Sequence, residues 1–383
     1  MKLPLICTLF LFTSLQLWAQ TPQTIRSYAS HPQELSWYKQ QSQLWKHRID
    51  QEPQNAHAWK QYFAANRVLM FHDSTDKRSK EQIYQSLENI LNDMEKAIPN
   101  SYEFNFCKWQ LGGNNLDLLP YLEKAIAIDS TRTDHIDYMI NISEMKRNVQ
   151  QRNLYAKKLM DKQLLSTGLI YYNYNVISGL KPKAILLTAG DNDTYPAWAL
   201  QAKGIRNDVW VINNYLLHIE SYRSKIFSEL GLPEKVFKDK TDEETFFNKE
   251  LLSYLLKNKK NYPVYLSLTA AACQPSLEQW SDNLYLTGLS YEYSQQNFDN
   301  ISTLRKNMEH TMALDYIDKA FYIESAEEKI KEINRNYLVP MMKLYQHYQG
   351  AGDKNRLDWL KEKMQLISQG TEDESYIQQF LAE

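Results

Sequence analysis

Three short apolar runs interrupt a chain that otherwise repeats its apolar residues every three or four positions. They are residues 184–188 (AILLT), 208–213 (DVWVIN) and 263–269 (PVYLSLT). Runs of this length suit strands buried on both faces and are too short for helices. Between the first two lies TYPAWALQAKGI, with Pro196 suited to the first turn of a helix. Helical stretches near residues 220–230 and 243–256 separate the second from the third. Strand, helix, strand at this spacing implies a right-handed parallel crossover, hence a small, mostly parallel α/β sheet over residues 176–298. Residues 284–289 read as a fourth strand.

The rest of the chain reads as helix. Only 11 of 383 residues are glycine, which argues against a turn-rich all-β fold. From residue 34 to about 170 the apolar residues keep helical spacing, broken by Pro53 and Asn55, by Pro99, and by Asp129 and Ser130. The tetrapeptide Glu-Lys-Ala-Ile begins at Glu95 and again at Glu123, placing Ala97 and Ala125 where paired helices approach closely. This pattern resembles tetratricopeptide repeats with irregular spacing; a plain helical bundle is the alternative. Stacked helix pairs create a curved surface of the kind that holds a peptide or protein partner. Trp37, Trp45, Trp59 and Trp109 are expected in the core. After residue 299 the chain returns to helix, with a hairpin turning at residues 350–353. The fold expected is therefore mainly α with an α/β module: residues 21–175 as helical repeats, 176–298 as the α/β module and 299–383 as a C-terminal helical segment.

Residues 1–20 have a lysine near the start, an apolar core and Ala19 before Gln20, the layout of a secretory signal peptide. The mature protein is expected to be periplasmic or secreted, with no transmembrane segment. Cys107 and Cys273 lie far apart in sequence, and two buried free thiols are expected in preference to a disulfide. With 44 basic and 46 acidic residues the chain carries no polyanion-binding bias, which sets nucleic acid aside as a partner.

In an open α/β sheet ligands bind beyond the carboxyl ends of the strands. Four clusters are expected there: Asp191, Asn192, Asp193 and Thr194; Asn213, Asn214 and His218; Thr269 and Cys273; and Tyr291. Asp191 and Asp193 could hold a divalent cation or the hydroxyls of a sugar, and two aspartates at a helix start repel phosphate. A structural role stands beside this: Asp193 or Thr194 caps the helix, Gly190 permits the turn and Asp191 accepts backbone amides. His218 could act as a general base, although a lone histidine is more often structural. The chain holds no zinc-protease, nucleophile-elbow or paired-cysteine motif.

The segment GDNDTYPAWALQAKGIRNDVWVINNYLL, with YPVYLSL and NLYLTGLSYEY downstream, resembles the soluble C-terminal part of a bacterial family of multi-pass membrane proteins related to protein O-mannosyltransferases. The matching positions are Gly190 to Thr194, Pro196, Gln201, Gly204, Arg206, Asp208 and Val209, and the likeness covers about residues 180–295 and more weakly the helical end to about 365. Tyr195 stands where that pattern has Phe, and Ala197 and Ala199 are smaller than it suggests. The membrane half, where sugar transfer would reside, has no counterpart here. The resemblance implies a link to envelope glycosylation or surface assembly. The leading expectation is an adaptor whose helices bind an envelope protein while the α/β module binds a glycan, peptide or cation. The alternative is a glycan-processing enzyme using Asp191 and Asp193.

Overall fold

The computed structural model describes residues 21–28, 31–113, 115–258, 261–274, 277–318 and 326–383; the expected leader, residues 1–20, lies outside them. The chain divides into two compact units, one ending at His135 and the other beginning at Ile136.

The first unit is helical: α1 (Leu35–Gln51), α2 (Ala56–His72), α3 (Lys80–Ala97), α4 (Tyr102–Leu111) and α5 (Leu119–Ile128). The breaks anticipated at Pro53 and Pro99 fall in the short loops before α2 and α4. Polar caps start three of these helices by occupying otherwise orphaned N–H groups. Asn55 accepts from Ala58 N at 3.0 Å, Ser101 accepts from Phe104 N at 3.0 Å, and Ser79 with Gln82 forms a reciprocal capping box on α3. The apolar stripes of α1 to α4 meet in one core that includes Trp45, Ile49, Trp59, Phe63, Leu87, Met94, Phe104 and Cys107. Trp109 is buried as well, whereas Trp37 is only half-buried.

The second unit opens with α6 (Ile136–Met145), α7 (Val149–Asp161) and α8 (Thr167–Ser178), and a buried ion cluster ties these to the α/β module. Glu144, fully buried, accepts from Arg152 Nη1 at 2.7 Å and from the Tyr222 hydroxyl at 2.8 Å, and also pairs with Arg147. Arg147 in turn grips Glu229 at 2.7 Å. The unit boundary thus falls before residue 176.

The module runs β1 (Ile185–Thr188), α9 (Asp191–Ala202), β2 (Trp210–Asn213), α10 (Glu220–Leu230), α11 (Lys240–Thr245), α12 (Leu251–Asn258), β3 (Val264–Ser267), α13 (Leu268–Ala272), β4 (Leu284–Leu286) and β5 (Ser290–Tyr293). The C-terminal part adds α14 (Asn300–Lys306), α15 (Asp315–Asp318), α16 (Glu327–Asn334), α17 (Leu338–Ala351), α18 (Lys354–Ser368) and α19 (Glu374–Ala382). The hairpin turn anticipated at residues 350–353 lies between α17 and α18, with Gly352 in the left-handed conformation at φ 69°.

The five strands lie in the order β2-β1-β3-β5-β4. β1 pairs in parallel with both β2 and β3, while β5 is antiparallel to β3 and to β4. Four strands therefore share one direction and the sheet is mixed. All four residues of β1 and of β3 are buried, as expected of central strands covered on both faces. The run at 284–289 supplies β4 only over three residues. Tyr291 does not follow that strand but sits inside β5, opposite Leu266 and Leu286.

Candidate ligand cleft at the strand ends

From β1 the chain crosses to β2 on one side of the sheet, and from β2 it returns past β1 to β3 on the other. The carboxyl ends of β1 and β3 therefore flank a topological switch point, where the two departing loops diverge and leave a crevice. A cleft of about 570 Å³ opens there. Ala189 to Asp193 line it after β1, and Thr269, Ala272 and Cys273 line it after β3. The opposite wall is apolar at its base, with Ile333, Leu338, Val339, Met342 and Ile377, and charged at its edge, with Lys329, Glu332, Arg335 and Asp373.

The two aspartates of the Gly-Asp-Asn-Asp turn have separated roles. Asp193, at 3 % exposure, is the third residue of α9 and reaches back over the turn. Its Oδ2 accepts from Ala189 N at 2.8 Å and its Oδ1 from Gly190 N at 2.9 Å. From β3 the Ser267 hydroxyl lies 3.3 Å from Oδ2, and the Thr269 hydroxyl bonds the same oxygen. One carboxylate thus closes the start of α9 and pins the β1 loop to the β3 loop. Burial pushes this carboxyl above the ordinary aspartate range, and the donors from Ala189, Thr269 and Ser267 offset part of that rise. Both oxygens are engaged by these donors, although Asp193 stands among the residues that line the cleft.

Asp191 is the reverse. It is exposed and opens onto the cleft, with the Tyr195 hydroxyl one turn along α9 as its side-chain partner. Although Asp191 is exposed at the cleft mouth, the protein packed around it desolvates its carboxyl and raises it above the usual range, and the Tyr195 hydroxyl opposes that rise. Among the described residues no cation pairs with it. The charged groups across the cleft are matched with one another: Lys329 with Glu332 at 2.6 Å, and Arg335 with Asp373 and, at 2.6 Å, with Glu372. Asp191 is therefore the carboxylate left over in this cleft.

The turn follows the structural roles expected of it only in part: Asp193 caps the helix as expected. Asp193 accepts the backbone amides that were assigned to Asp191. The helix starts at Asp191, ahead of its expected start near Pro196, which puts Pro196 inside α9. Gly190 has φ −122°, a conformation open to any residue, and a Cβ there would meet nothing within 4 Å.

Of the other anticipated residues, Thr269 and Cys273 join the cleft. Asn192 lines it, and its backbone carbonyl accepts from Asn173 Nδ2 at 2.8 Å. Thr194 and Asn213 lie beneath the rim, linked at 3.1 Å, and Asn213 Oδ1 accepts from Tyr215 N at 2.9 Å as a turn-forming side chain. Asn214 donates its N–H to Thr188 O at 2.7 Å, continuing the β1–β2 ladder, and is not part of the cleft wall. His218 is exposed away from the cleft, stacked 3.8 Å from Phe247 and 3.5 Å from Glu243, so it does not serve this site as a base. Cys107 and Cys273 are both free; Cys107 is buried, and Cys273 is exposed rather than buried as expected.

The metal ligands expected at Asp191 and Asp193 gain no third His, Cys, Asp or Glu side chain among the described residues. What the sequence did not reveal is the helical wall: Arg335, Asp373 and Tyr376 come from positions more than a hundred residues downstream, with no local motif to mark them. Tyr195 could have been found, since a hydroxyl four residues after Asp191 lies on the same helical face.

The second half of the motif works at the opposite end of the sheet. Gln201 Nε2 donates to Val209 O at 2.7 Å and to Arg206 O at 3.1 Å. Arg206 donates to Ile177 O at 2.6 Å and to Leu180 O at 3.0 Å, and it pairs with Asp208 at 2.9 Å. Asp208 accepts from Lys183 N at 2.9 Å, and Gly204 turns the chain at φ 89°. These residues clasp the entries to β1 and β2 and do not face the cleft.

Fold and cleft together define a class: a small switch-point α/β sheet embedded in helices, with a helical wall over its strand ends. Residues 170–345 match the family described as TMEM260-associated domain 2. The main region of the resemblance, about residues 180–295, falls inside that match, whereas the weaker likeness to about 365 runs past its end; the match also ends before α19 and its contributions to the cleft. No curated protein matches the chain. Among the described residues no helix is long and apolar enough to cross a membrane.

Proposed function

We propose that this chain is an exported binding protein, an adaptor in envelope glycosylation or surface assembly. Its α/β cleft holds a ligand and its helical unit engages a protein partner. The observation that carries the reading is the division of labour in the acidic turn: Asp193 is closed off by donors, while Asp191 faces a largely apolar cleft with one hydroxyl for a partner. An apolar cleft with a few polar groups is the usual form of a small-ligand site. A lone, partly desolvated carboxylate selects a ligand that brings hydrogen-bond donors, such as a sugar hydroxyl pair or an ammonium group at the end of a peptide. Acid–base catalysis by the two aspartates is the less favoured reading, because one of the two carboxyls it needs is taken up by four donors of the fold.

The relation to multi-pass proteins of the O-mannosyltransferase type, suggested by the sequence and consistent with the TMEM260-associated match, supports the envelope context. The paired helices of the first unit, joined by short loops, support the tetratricopeptide-like reading and with it a protein partner.

Two measurements test the proposal. Titrating isotope-labelled protein with simple sugars and short peptides should move the amide signals of Gly190, Asp191 and Thr269, and Asp191→Ala should abolish the shifts. In-cell crosslinking from residues 35–128 should capture a defined envelope protein. Shifts that survive Asp191→Ala, or spread evenly over the surface, contradict the cleft reading; the absence of any captured protein contradicts the partner reading.

A further inference from the structure

Residues 21–28 (TPQTIRSY) precede the first helix and form neither helix nor strand, yet α1 and α2 hold them in place. The contacts fall mainly on the main chain. Gln23 N donates to Gln41 Oε1 at 2.7 Å, and Gln23 O accepts from the Trp45 indole at 2.9 Å. Ile25 N donates to Gln61 Oε1 at 2.6 Å. Gln41 and Gln61 are 3 % and 4 % exposed, on α1 and α2 respectively. Burying an amide is unfavourable unless it is bonded, and both of these direct their oxygens at the backbone of this segment.

The side chains follow a period of three. Pro22, Ile25 and Tyr28 are half-buried, whereas Thr21, Gln23, Thr24, Arg26 and Ser27 are exposed. Tyr28 stacks on His72 at 3.9 Å. A three-residue repeat of inward side chains, with an indole N–H on a carbonyl, is the way extended proline-containing peptides are read by aromatic-lined grooves.

We infer that the α1–α2 hairpin is a binding site for an extended peptide and that residues 21–28 are its resident occupant. The partner chemistry is a proline followed at every third position by an apolar and then an aromatic residue, in a segment of another protein. Because Gln41, Gln61 and Trp45 address main-chain atoms, they accept any segment able to place its backbone there, while the inward positions select for sequence. Tethering gives the resident segment an effective concentration in the millimolar range, so the site stays covered until a tighter-binding segment displaces it. This deepens, and rests on, the reading that the helical unit engages a protein partner.

The test uses a fluorescent peptide of sequence TPQTIRSY, the full chain, and a chain beginning at His31. The peptide should bind the shortened chain saturably and the full chain at least about ten-fold more weakly, as effective-concentration competition requires. Gln41→Leu with Gln61→Leu in the shortened chain should weaken binding by a further ten-fold or more, since two buried main-chain bonds are lost. If the shortened chain is destabilised, the peptide added in trans should restore its Tm. A folded shortened chain that ignores the peptide, equal binding to both chains, or a destabilised chain that the peptide does not rescue overturns the inference. Dimerisation of the full chain that the paired glutamine substitutions abolish would assign the site to a second copy and overturn it also. If the peptide fails while crosslinking from residues 35–128 still captures a protein, this inference falls and the partner reading stands.

Discussion

Asn173 supplies the hydrogen bond that Pro196 cannot make. In α9 the N–H of residue 196 would donate to Asn192 O, but proline has none, and Asn173 Nδ2 from α8 donates to that carbonyl at 2.8 Å. The same amide donates to Leu169 O at 2.9 Å within its own helix. A buried asparagine on one helix thus lets a proline sit inside the next, directly behind the cleft.

Asn173→Ala should therefore lower stability by about 1 kcal/mol, the worth of the hydrogen bond to the part-buried Asn192 carbonyl. In a Pro196→Ala background the restored backbone N–H should serve Asn192, so the same substitution should cost clearly less there. Chemical denaturation of the four chains in the double-mutant cycle reads this coupling. Equal losses in both backgrounds would mean the two residues act independently.

The glycines of the motif should differ sharply. Gly204 sits at φ 89°, where an L side chain is strained, so Gly204→Ala should destabilise by about 1 kcal/mol or more. Gly190→Ala has neither a backbone nor a space obstacle and should be neutral in thermal unfolding. Its methyl group would enter the cleft mouth, so any effect should appear in ligand binding instead.

Acid dependence follows from the raised carboxyl of Asp191. Its folded state holds the proton more tightly than the unfolded chain, whose value is 3.8. The associated stability is complete below that value and is withdrawn as pH rises through the higher folded value. Asp191→Asn removes this loss, so its stability advantage over the parent should be absent at pH 3 and present at pH 7. Denaturant midpoints across that range check the sign; an advantage confined to acid would reverse it.

How much of this was open to sequence reading depends on the kind of signal. β1 and β3 were legible because central parallel strands are apolar throughout, the edge strand β2 because three of its four residues are buried, and 220–230 was legible as a helix because its period is local. The reversed β5 was not, since residues 284–293 form one apolar stretch and the turn between β4 and β5 carries no strong marker beyond Gly288. The acidic turn was found and Asp193 caps the helix as expected, but Asp193 also takes the backbone amides assigned to Asp191. Which carboxylate folds back on the backbone depends on Ser267 and Thr269, more than seventy residues away. The α16–α19 wall was hidden for the same reason, and His218 was drawn to the site only by its place after a strand.

The contrast between the two aspartates is the centre of the account, and matched isosteric substitutions measure it. Asp193→Asn exchanges an acceptor for a donor among buried donors and should lower stability by about 1–3 kcal/mol, the cost of buried donors left unpaired. Asp191→Asn should leave stability at pH 7 equal or higher and abolish the ligand-induced amide shifts at the strand ends. Unfolding and titration of both variants under one set of conditions decide the matter. A stable Asp193→Asn protein, or an Asp191→Asn protein that is destabilised yet still binds, would contradict the assignment of one aspartate to the fold and the other to the ligand.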